Sequence, residues 1–381
     1  YQLLVASSDG ELQLDGLQEA ALARELVHAI RSSQTLQGNE GVVEFRPLEG
    51  FAGLGREMLS ARSVGAEQSN TSIVFDDELI MKVFRRLEPG INPELEMLRF
   101  LTEHGFANVA ALGGWYAYSG GPTAATLGIL QEFVQGGRDG WELGLEEITS
   151  APDDFLARLH RLGEVTGEMH SVLASEANDP AFAPETPSVE ALGLLTATVD
   201  EEISKVFLEL PEEEESVAPI VGRGEEVREQ LRLLTHAGSA GKAIRTHGDY
   251  HLGQTMWAGD DWVILDFEGE PARSLAERRR KRSPLRDVAG MLRSFAYLSI
   301  SADGSPEWEE QARATFLAGY FDTVDQTLLP SGQAAIERML AVYELEKAVY
   351  ELRYEIDNRP DWVAIPVAGI QRLIEQVGDP S

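Results

Sequence analysis

His247-Gly248-Asp249-Tyr250-His251-Leu252-Gly253-Gln254, followed by Trp262-Val263-Ile264-Leu265-Asp266-Phe267-Glu268, is the stretch that decides the reading of this chain. Its second half is a short apolar run bracketed by Gly259-Asp260-Asp261 and Gly269. Such a run is too short for a helix and reads as a buried strand that carries Asp266 to its end. Phosphoryl transfer needs a carboxylate near the attacking hydroxyl, and a second carboxylate with an acceptor group to hold magnesium. Asp249, Gln254 and Asp266 supply these types in that order. An ordinary hairpin with solvated acids accounts for a pair of aspartates. It does not account for His-Gly-Asp, a carboxamide shortly after it, and an apolar strand ending in Asp-Phe.

Upstream, Thr71-Ser72-Ile73-Val74-Phe75, a turn at Asp76-Asp77 and Leu79-Ile80-Met81-Lys82-Val83-Phe84 read as a hairpin. Lys82 sits between apolar residues on the second strand, where an ammonium can reach the α- and β-phosphates of a nucleotide. A Pro89-Gly90 break leads to a helix opening near Pro93, with Glu94 and Glu96 as candidate ion-pair partners for that lysine. Ahead of the hairpin, residues 65–72 form a polar turn whose backbone N–H groups and side chains, at Gln68, Ser69, Asn70 and Thr71, could cover phosphates. The turn lacks G-x-G-x-x-G. A further strand over 126–133, closed by Gly136-Gly137, puts Gln131, Glu132 and Val134 at a strand end. Beyond it helical patterns dominate, at 155–173, 285–298, 308–323 and 334–358. The outline is a small strand-rich lobe, then a larger helical one, joined near 131–134.

Composition narrows the partners. The 381 residues carry 32 Lys+Arg against 64 Asp+Glu, a formal net charge of −32, and no cysteine. Such a field repels nucleic acid and anionic lipid, so an anionic substrate needs a local positive site or a metal ion. The basic run 278–282 is then a solvated helix end rather than a nucleic-acid patch. Without cysteine there is no disulfide, no thiolate zinc site and no Cys nucleophile, which fits a cytoplasmic protein. Histidines 160, 170, 247 and 251 match no zinc spacing, and no G-x-S-x-G elbow occurs. No run of about 18 apolar residues is present, and neither is a signal-peptide pattern. The start on Tyr1 leads us to expect a missing N-terminal piece. Length predicts two or three packed units.

Taken together, HGDYHLGQ, VILDFEGEP and SPLRDVAGMLRSFAY, with SNTSIVFDDELIMKVFRRLEPGINPELE, LQEFVQGGRDGWEL and YELRYEIDNRPDWVAIP, resemble the actinobacterial maltokinases. These share the aminoglycoside-phosphotransferase or eukaryotic-kinase-like fold, and the likeness runs from about Tyr1 to Ile370. It implies an α+β, bilobal protein-kinase-like architecture: residues 1–57 the remainder of an N-terminal cap, 58–135 a β-rich nucleotide-binding lobe, 136–381 a helical catalytic and sugar-binding lobe. It implies ATP and Mg²⁺, with Asp249 orienting or deprotonating the anomeric hydroxyl of maltose to give maltose 1-phosphate. Gln254 and Asp266 would hold the metal. Many such kinases have Asn where Gln254 stands, and the resembled maltokinases also have Gln. Lys82 would pair with Glu96, or failing that Glu94, and residues 131–134 would form the adenine hinge.

Glu351, Tyr354, Glu355 and Asn358 share one helical face by spacing. By composition alone this is a surface helix with inward tyrosines. The resemblance turns it into a sugar site of Glu351, Tyr354, Glu355, Arg359 and Trp362, joined by His251 and Glu268. It also implies a role in making α-glucan from trehalose, with trehalose synthase as a partner. The close alternative is a glucosamine or aminoglycoside kinase on the same scaffold. A different class, a nucleotide-binding pseudokinase that regulates a partner, is opposed by the intact Lys82, Asp249, Gln254 and Asp266.

Overall fold

The computed structural model describes residues 1–375 apart from 9–10, 15–16, 18–19, 56–57, 67–69, 121–122, 212, 236–240 and 303. The chain divides into two compact units, Tyr1–Arg138 with Met256–Arg279, and Asp139–Thr255 with Arg280–Ser381.

In the first unit β1 (Val5–Ser8) and β2 (Glu11–Leu14) pair with each other. Helix α1 (Ala20–Arg31) follows, and then β3 (Thr35–Gln37), β4 (Val42–Pro47), β5 (Arg62–Ala66), β6 (Asn70–Phe75) and β7 (Leu79–Phe84). Helix α2 (Pro93–Glu103) precedes β8 (Leu112–Gly120) and β9 (Thr123–Glu132). Seven of these strands form one sheet in the order β3-β4-β8-β9-β7-β6-β5. Ala23, Leu26, Val27 and Ile30 of α1 share a core with Phe45, Leu79, Met81, Val83, Tyr116 and Leu130 of the sheet. Alternate residues of a strand face opposite ways, so this core fixes Ile80 and Lys82 of β7 on the other face. The β6–β7 turn has positive φ at both Asp76 (49°) and Asp77 (52°), the conformation that suits a tight hairpin. Asn92 caps α2 by accepting the Glu94 N–H at 2.8 Å, with Pro93 in the first turn.

Two parts of this unit differ from expectation. Strands β3 and β4 and helix α1 lie within residues 1–57, where a cap remnant was expected, yet they belong to the main sheet and its core. The sequence reading also contains no strand at β8, although β8 sits inside the sheet between β4 and β9. The register shifts around Gly114 and again between Tyr116 and Ala117. These irregularities break the two-residue period on which such a reading depends.

After β10 (Arg138–Asp139) the second unit begins, with α3 (Gly140–Ser150), α4 (Pro152–Leu173), α5 (Val189–Leu208) and α6 (Gly224–Thr235). The chain then returns to the first unit for most of β11 (Thr255–Ala258), β12 (Asp261–Ile264) and α7 (Leu275–Arg278). Met256–Arg279 thus departs from the expectation that 136–381 form one helical lobe. The second unit closes with α8 (Leu285–Ser301), α9 (Pro306–Thr323), α10 (Gln333–Asn358) and α11 (Ala364–Glu375). Helices α4 and α9 cross so closely that a Cβ on Gly163 would meet Phe316 backbone, and one on Gly319 the backbone of His160. Apolar residues of α10, among them Val342, Leu345, Val349 and Leu352, pack with Ile203, Val227 and Ile370. Among the described residues no helix is long and apolar enough to cross a membrane.

Candidate active site

In the first unit the Lys82 ammonium lies 2.9 Å from Glu94, 2.8 Å from Asp266 and 2.6 Å from Glu268. The side chain is only 13% exposed. Burial works against its charge, but the three carboxylates outweigh burial and raise its pKa well above the usual lysine range. Burial pushes Glu94 up to about 8 against the pull of Lys82, with Glu268 and Asp266 adding to the rise. The expected partner Glu96 is corrected here. It is held instead by Arg279, at 2.6 and 2.9 Å. Two residues along a helix turn the side chain by about 200°, so Glu94 and Glu96 cannot face one lysine together.

Asp266, one of the two expected metal ligands, belongs to a carboxylate cluster. Carboxylate oxygens of Glu94, Asp266 and Glu268 lie within 4.8 Å of one another. Glu268, expected among the sugar contacts, accepts from Asn70 Nδ2 at 3.0 Å and pairs with Lys82. Asp266 holds a left-handed φ of 59°, which non-glycine residues seldom adopt. Thr71 Oγ1 accepts from Arg85 at 2.8 Å. Gln68 and Ser69 lie outside the described residues. The basic run is not a bare solvated end. Arg278 pairs with Glu88, Arg279 with Glu96 and Lys281 with Glu185.

At the end of β9 the backbone donors are partly spent. The Glu132 N–H goes to Ala111 O at 2.9 Å and the Phe133 N–H to Glu78 O at 2.8 Å. The N–H of Val134 has no hydrogen-bond partner among the described residues. It is the first donor after the strand that a ligand can use.

In the second unit the His-Gly-Asp turn is pinned from below. The N–H groups of His247 and Gly248 donate to the Asp287 carboxylate at 2.7 and 2.9 Å, and Gly248 has a φ of 87° that favours glycine. Asp287 is buried, which works against its charge. His170 at 3.3 Å, with the turn's N–H groups, holds it below the usual carboxylate range. Asp249 thereby leaves the turn in a fixed direction.

Asp249 lines a pocket of about 510 Å³ together with His251, Glu351, Tyr354, Glu355, Arg359 and Trp362. All seven were singled out in the sequence, and the structure brings them together. Gln254 does not line this pocket. The buried Arg293 grips Glu351 at 2.7 and 2.9 Å. Glu355 Oε1 accepts from the Tyr297 hydroxyl at 3.0 Å and from Arg359 at 2.6 Å. Burial pushes the Tyr297 hydroxyl pKa up, so it stays a donor. Glu355 Oε2 is buried with no hydrogen-bond partner among the described residues. The Arg359 guanidinium lies 5.2 Å from the Tyr354 ring centre and 5.0 Å from that of Trp362.

Tyr350, which the sequence puts in the same stripe, also lines the pocket, and so do Trp141, Tyr297 and Lys347, which the sequence reading does not single out. Lys347 stands 3.6 Å from Asp249 and 5.6 Å from the Tyr350 ring centre. A four-residue step back along α10 from Glu351 and Tyr354 reaches both Lys347 and Tyr350. That signal was available. Trp141 on α3 and Tyr297 on α8 carried none.

The chain is similar to known kinases. A glucosamine kinase of Streptacidiphilus jiangxiensis is 25% identical over 349 residues, covering 86% of this chain and 76% of the relative. One from Mycolicibacterium smegmatis (strain ATCC 700084 / mc(2)155) is 27% identical over 336 residues, covering 83% and 80%. A glucosamine kinase solved in complex with glucosamine, ADP and inorganic phosphate matches with a TM-score of 0.77 at 20% identity, over 96% of this chain and 86% of that one. The structural likeness shows the fold: a protein-kinase-like architecture with an antiparallel sheet unit and a helical unit, as the sequence led us to expect. The profile of the phosphotransferase enzyme family matches residues 60–327, so the chain belongs to that family.

Proposed function

We propose that the protein is an ATP-dependent sugar kinase whose acceptor is glucosamine or a closely related amino sugar. The observation that carries the acceptor is Glu355 Oε2, a buried carboxylate oxygen with no hydrogen-bond partner among the described residues, in a pocket that also holds Asp249. A buried acceptor left unsatisfied is costly, and an ammonium or hydroxyl of the acceptor would satisfy it. The named relatives support the same choice.

Each unit carries one half of what the reaction needs. In the first, Lys82 engages the α- and β-phosphates, with the buried Glu94 carboxyl beside it, and the Val134 N–H holds the base. Three carboxylates around one ammonium leave negative charge over, and hard oxygens at this spacing fit Mg²⁺. Asp266 and Glu268 would hold it, and its chemistry there is to neutralise phosphate charge. In the second unit Asp249, aimed by the turn on Asp287, accepts the proton of the acceptor hydroxyl. Tyr354 and Trp362 offer ring faces to the sugar.

Maltose is the second reading. It is favoured by Tyr350 and Tyr354, which line the pocket yet are 41% and 44% exposed, extending its aromatic surface outward. With it would come the α-glucan role and the trehalose synthase partner. The test is kcat/KM for glucosamine, maltose and kanamycin with Mg·ATP, products identified by NMR. Turnover of glucosamine well above maltose is expected. Maltose ahead by orders of magnitude would overturn the amino-sugar acceptor, and ATP binding without ADP formation on any sugar would favour a regulatory pseudokinase.

A further inference from the structure

The basic run opens with Arg278 and Arg279, which both lie in the first unit and reach toward α2. Arg279 donates to both carboxylate oxygens of Glu96, at 2.6 and 2.9 Å. The first turn of α2 is therefore gripped on two faces, by Lys82 through Glu94 and by Arg279 through Glu96. Arg278, only 7% exposed, donates to the Glu88 carboxylate at 2.5 Å, just ahead of α2, and to the Glu268 backbone oxygen at 3.2 Å. Leu275 lies against Gly90, where an added Cβ would come within 3.2 Å of it, at a φ of 122° that favours glycine. A four-residue helix does not hold itself together. In α7 a capping box of Ser274 and Glu277 closes the first turn, and the two arginines anchor the rest. Helix α7 thus joins the two stretches that bring carboxyl groups to Lys82: α2, with Glu94, and residues 266–268.

We propose that Arg279 is a positioning residue: with Arg278 it braces α2 so that the Glu94 carboxyl stays against Lys82 and the ammonium stays directed to phosphate. This rests on the nucleotide half of the reading above. Glu96 is buried, and a buried carboxylate that loses its guanidinium is drawn toward water, taking the first turn of α2 with it. Glu94, two residues earlier on the same turn, then leaves the lysine. The ammonium is left to Asp266 and Glu268, which are also the groups proposed to hold Mg²⁺. It competes with the metal for the same oxygens, so binding of the metal–nucleotide complex weakens. Arg279 need not touch the nucleotide, since it acts through Glu96.

The test is calorimetric binding of Mg·ATP to the wild-type chain, Arg279→Met, Arg279→Lys and Glu96→Gln, and to Arg279→Met in a Glu94→Ala background, with thermal melts as the control for folding. Arg279→Met should weaken binding by about 3–30-fold, the size of a coupling carried through packed neighbours. Arg279→Lys keeps the charge without the planar fork and should recover part of the loss. Glu96→Gln should weaken binding too, and the double variant Arg279→Met with Glu96→Gln should be no weaker than the weaker single one. In Glu94→Ala, where α2 has no carboxyl to place, adding Arg279→Met should cost nothing further. If Arg279→Met does not fold, Glu96→Gln alone and in Glu94→Ala carries the same comparison. A purely structural contact would cost the same with and without Glu94. That result, or wild-type affinity in Arg279→Met, overturns the brace while the kinase reading stands. A wild-type chain that does not bind Mg·ATP overturns the nucleotide reading and this proposal with it.

Discussion

The two charged clusters of the molecule contain the same kinds of side chain and are balanced in opposite ways. Around Lys82 three carboxylates share one ammonium, so burial leaves Glu94 reluctant to ionise. In the second unit each pocket glutamate has its own guanidinium, Glu351 with Arg293 and Glu355 with Arg359. A buried charge must be matched by an opposite charge or by hydrogen bonds. The first cluster is short of positive charge and suits a cation. The second is neutralised and suits hydrogen-bond donors, of which Glu355 Oε2 lacks one. Counting cations against carboxylates thus distinguishes the proposed metal-and-phosphate site from the proposed sugar site where residue type alone does not.

The largest expected effect tests the charge deficit directly. EDTA should abolish turnover, and Mg²⁺ or Mn²⁺ should restore it. Asp266→Ala should remove metal-dependent activity while leaving sugar affinity near wild type by calorimetry. Full activity of that variant at ordinary Mg²⁺ would break the contrast between the clusters.

Asp249→Asn comes next. The swap is nearly isosteric, and loss of general-base help should lower kcat by about 10²–10⁴-fold. Nucleotide affinity should be unchanged, since the proposed role of Asp249 is on the acceptor side. Near-native kcat would remove it from the acceptor side.

A smaller effect sharpens the second cluster. Glu355→Gln keeps the size of the side chain but removes the charge facing an ammonium. A charge-assisted hydrogen bond is worth about 1.5–3 kcal/mol. The KM for glucosamine should therefore rise by about 10–100-fold, with the KM for ATP unmoved. Equal changes in both constants would mean a structural role only.

The smallest effect is on stability against pH. Glu94 is raised from the usual carboxylate value near 4.5 to about 8, so between these values the folded chain binds a proton that the unfolded chain has lost. Its contribution to stability is complete below about pH 4.5 and is lost as pH rises through 8. Thermal melts of the metal-free protein should show Tm falling across that window. In Glu94→Gln the Glu94 share of the fall should vanish. An identical slope in both proteins would show that Glu94 ionises normally.

How much of this was legible in the sequence depends on how local each signal is. The β6–β7 hairpin, Lys82, the His-Gly-Asp turn and the strand ending at Asp266 each lie within a few residues, and pattern and turn chemistry announce them. The α10 stripe was half legible. Its spacing was plain, but a helix face of glutamate and tyrosine reads equally well as surface until Arg293, Tyr297 and Trp141 arrive from other helices. Strand β8 was hidden by its own glycines and register shifts.

The sequence by itself determined the side-chain types: carboxylates, a strand lysine and an amide, in an order that suits phosphoryl transfer. Only the tertiary structure decided the partners. It gave Lys82 to Glu94 and Glu96 to Arg279, set Glu268 against the lysine, and left one oxygen of Glu355 and one of Gln131 with no hydrogen-bond partner among the described residues. The reason is physical. Side-chain type and local period are properties of a few neighbouring residues, whereas pairing and burial depend on which distant elements the fold brings alongside. A charge's worth is set by what surrounds it rather than by what precedes it in the chain.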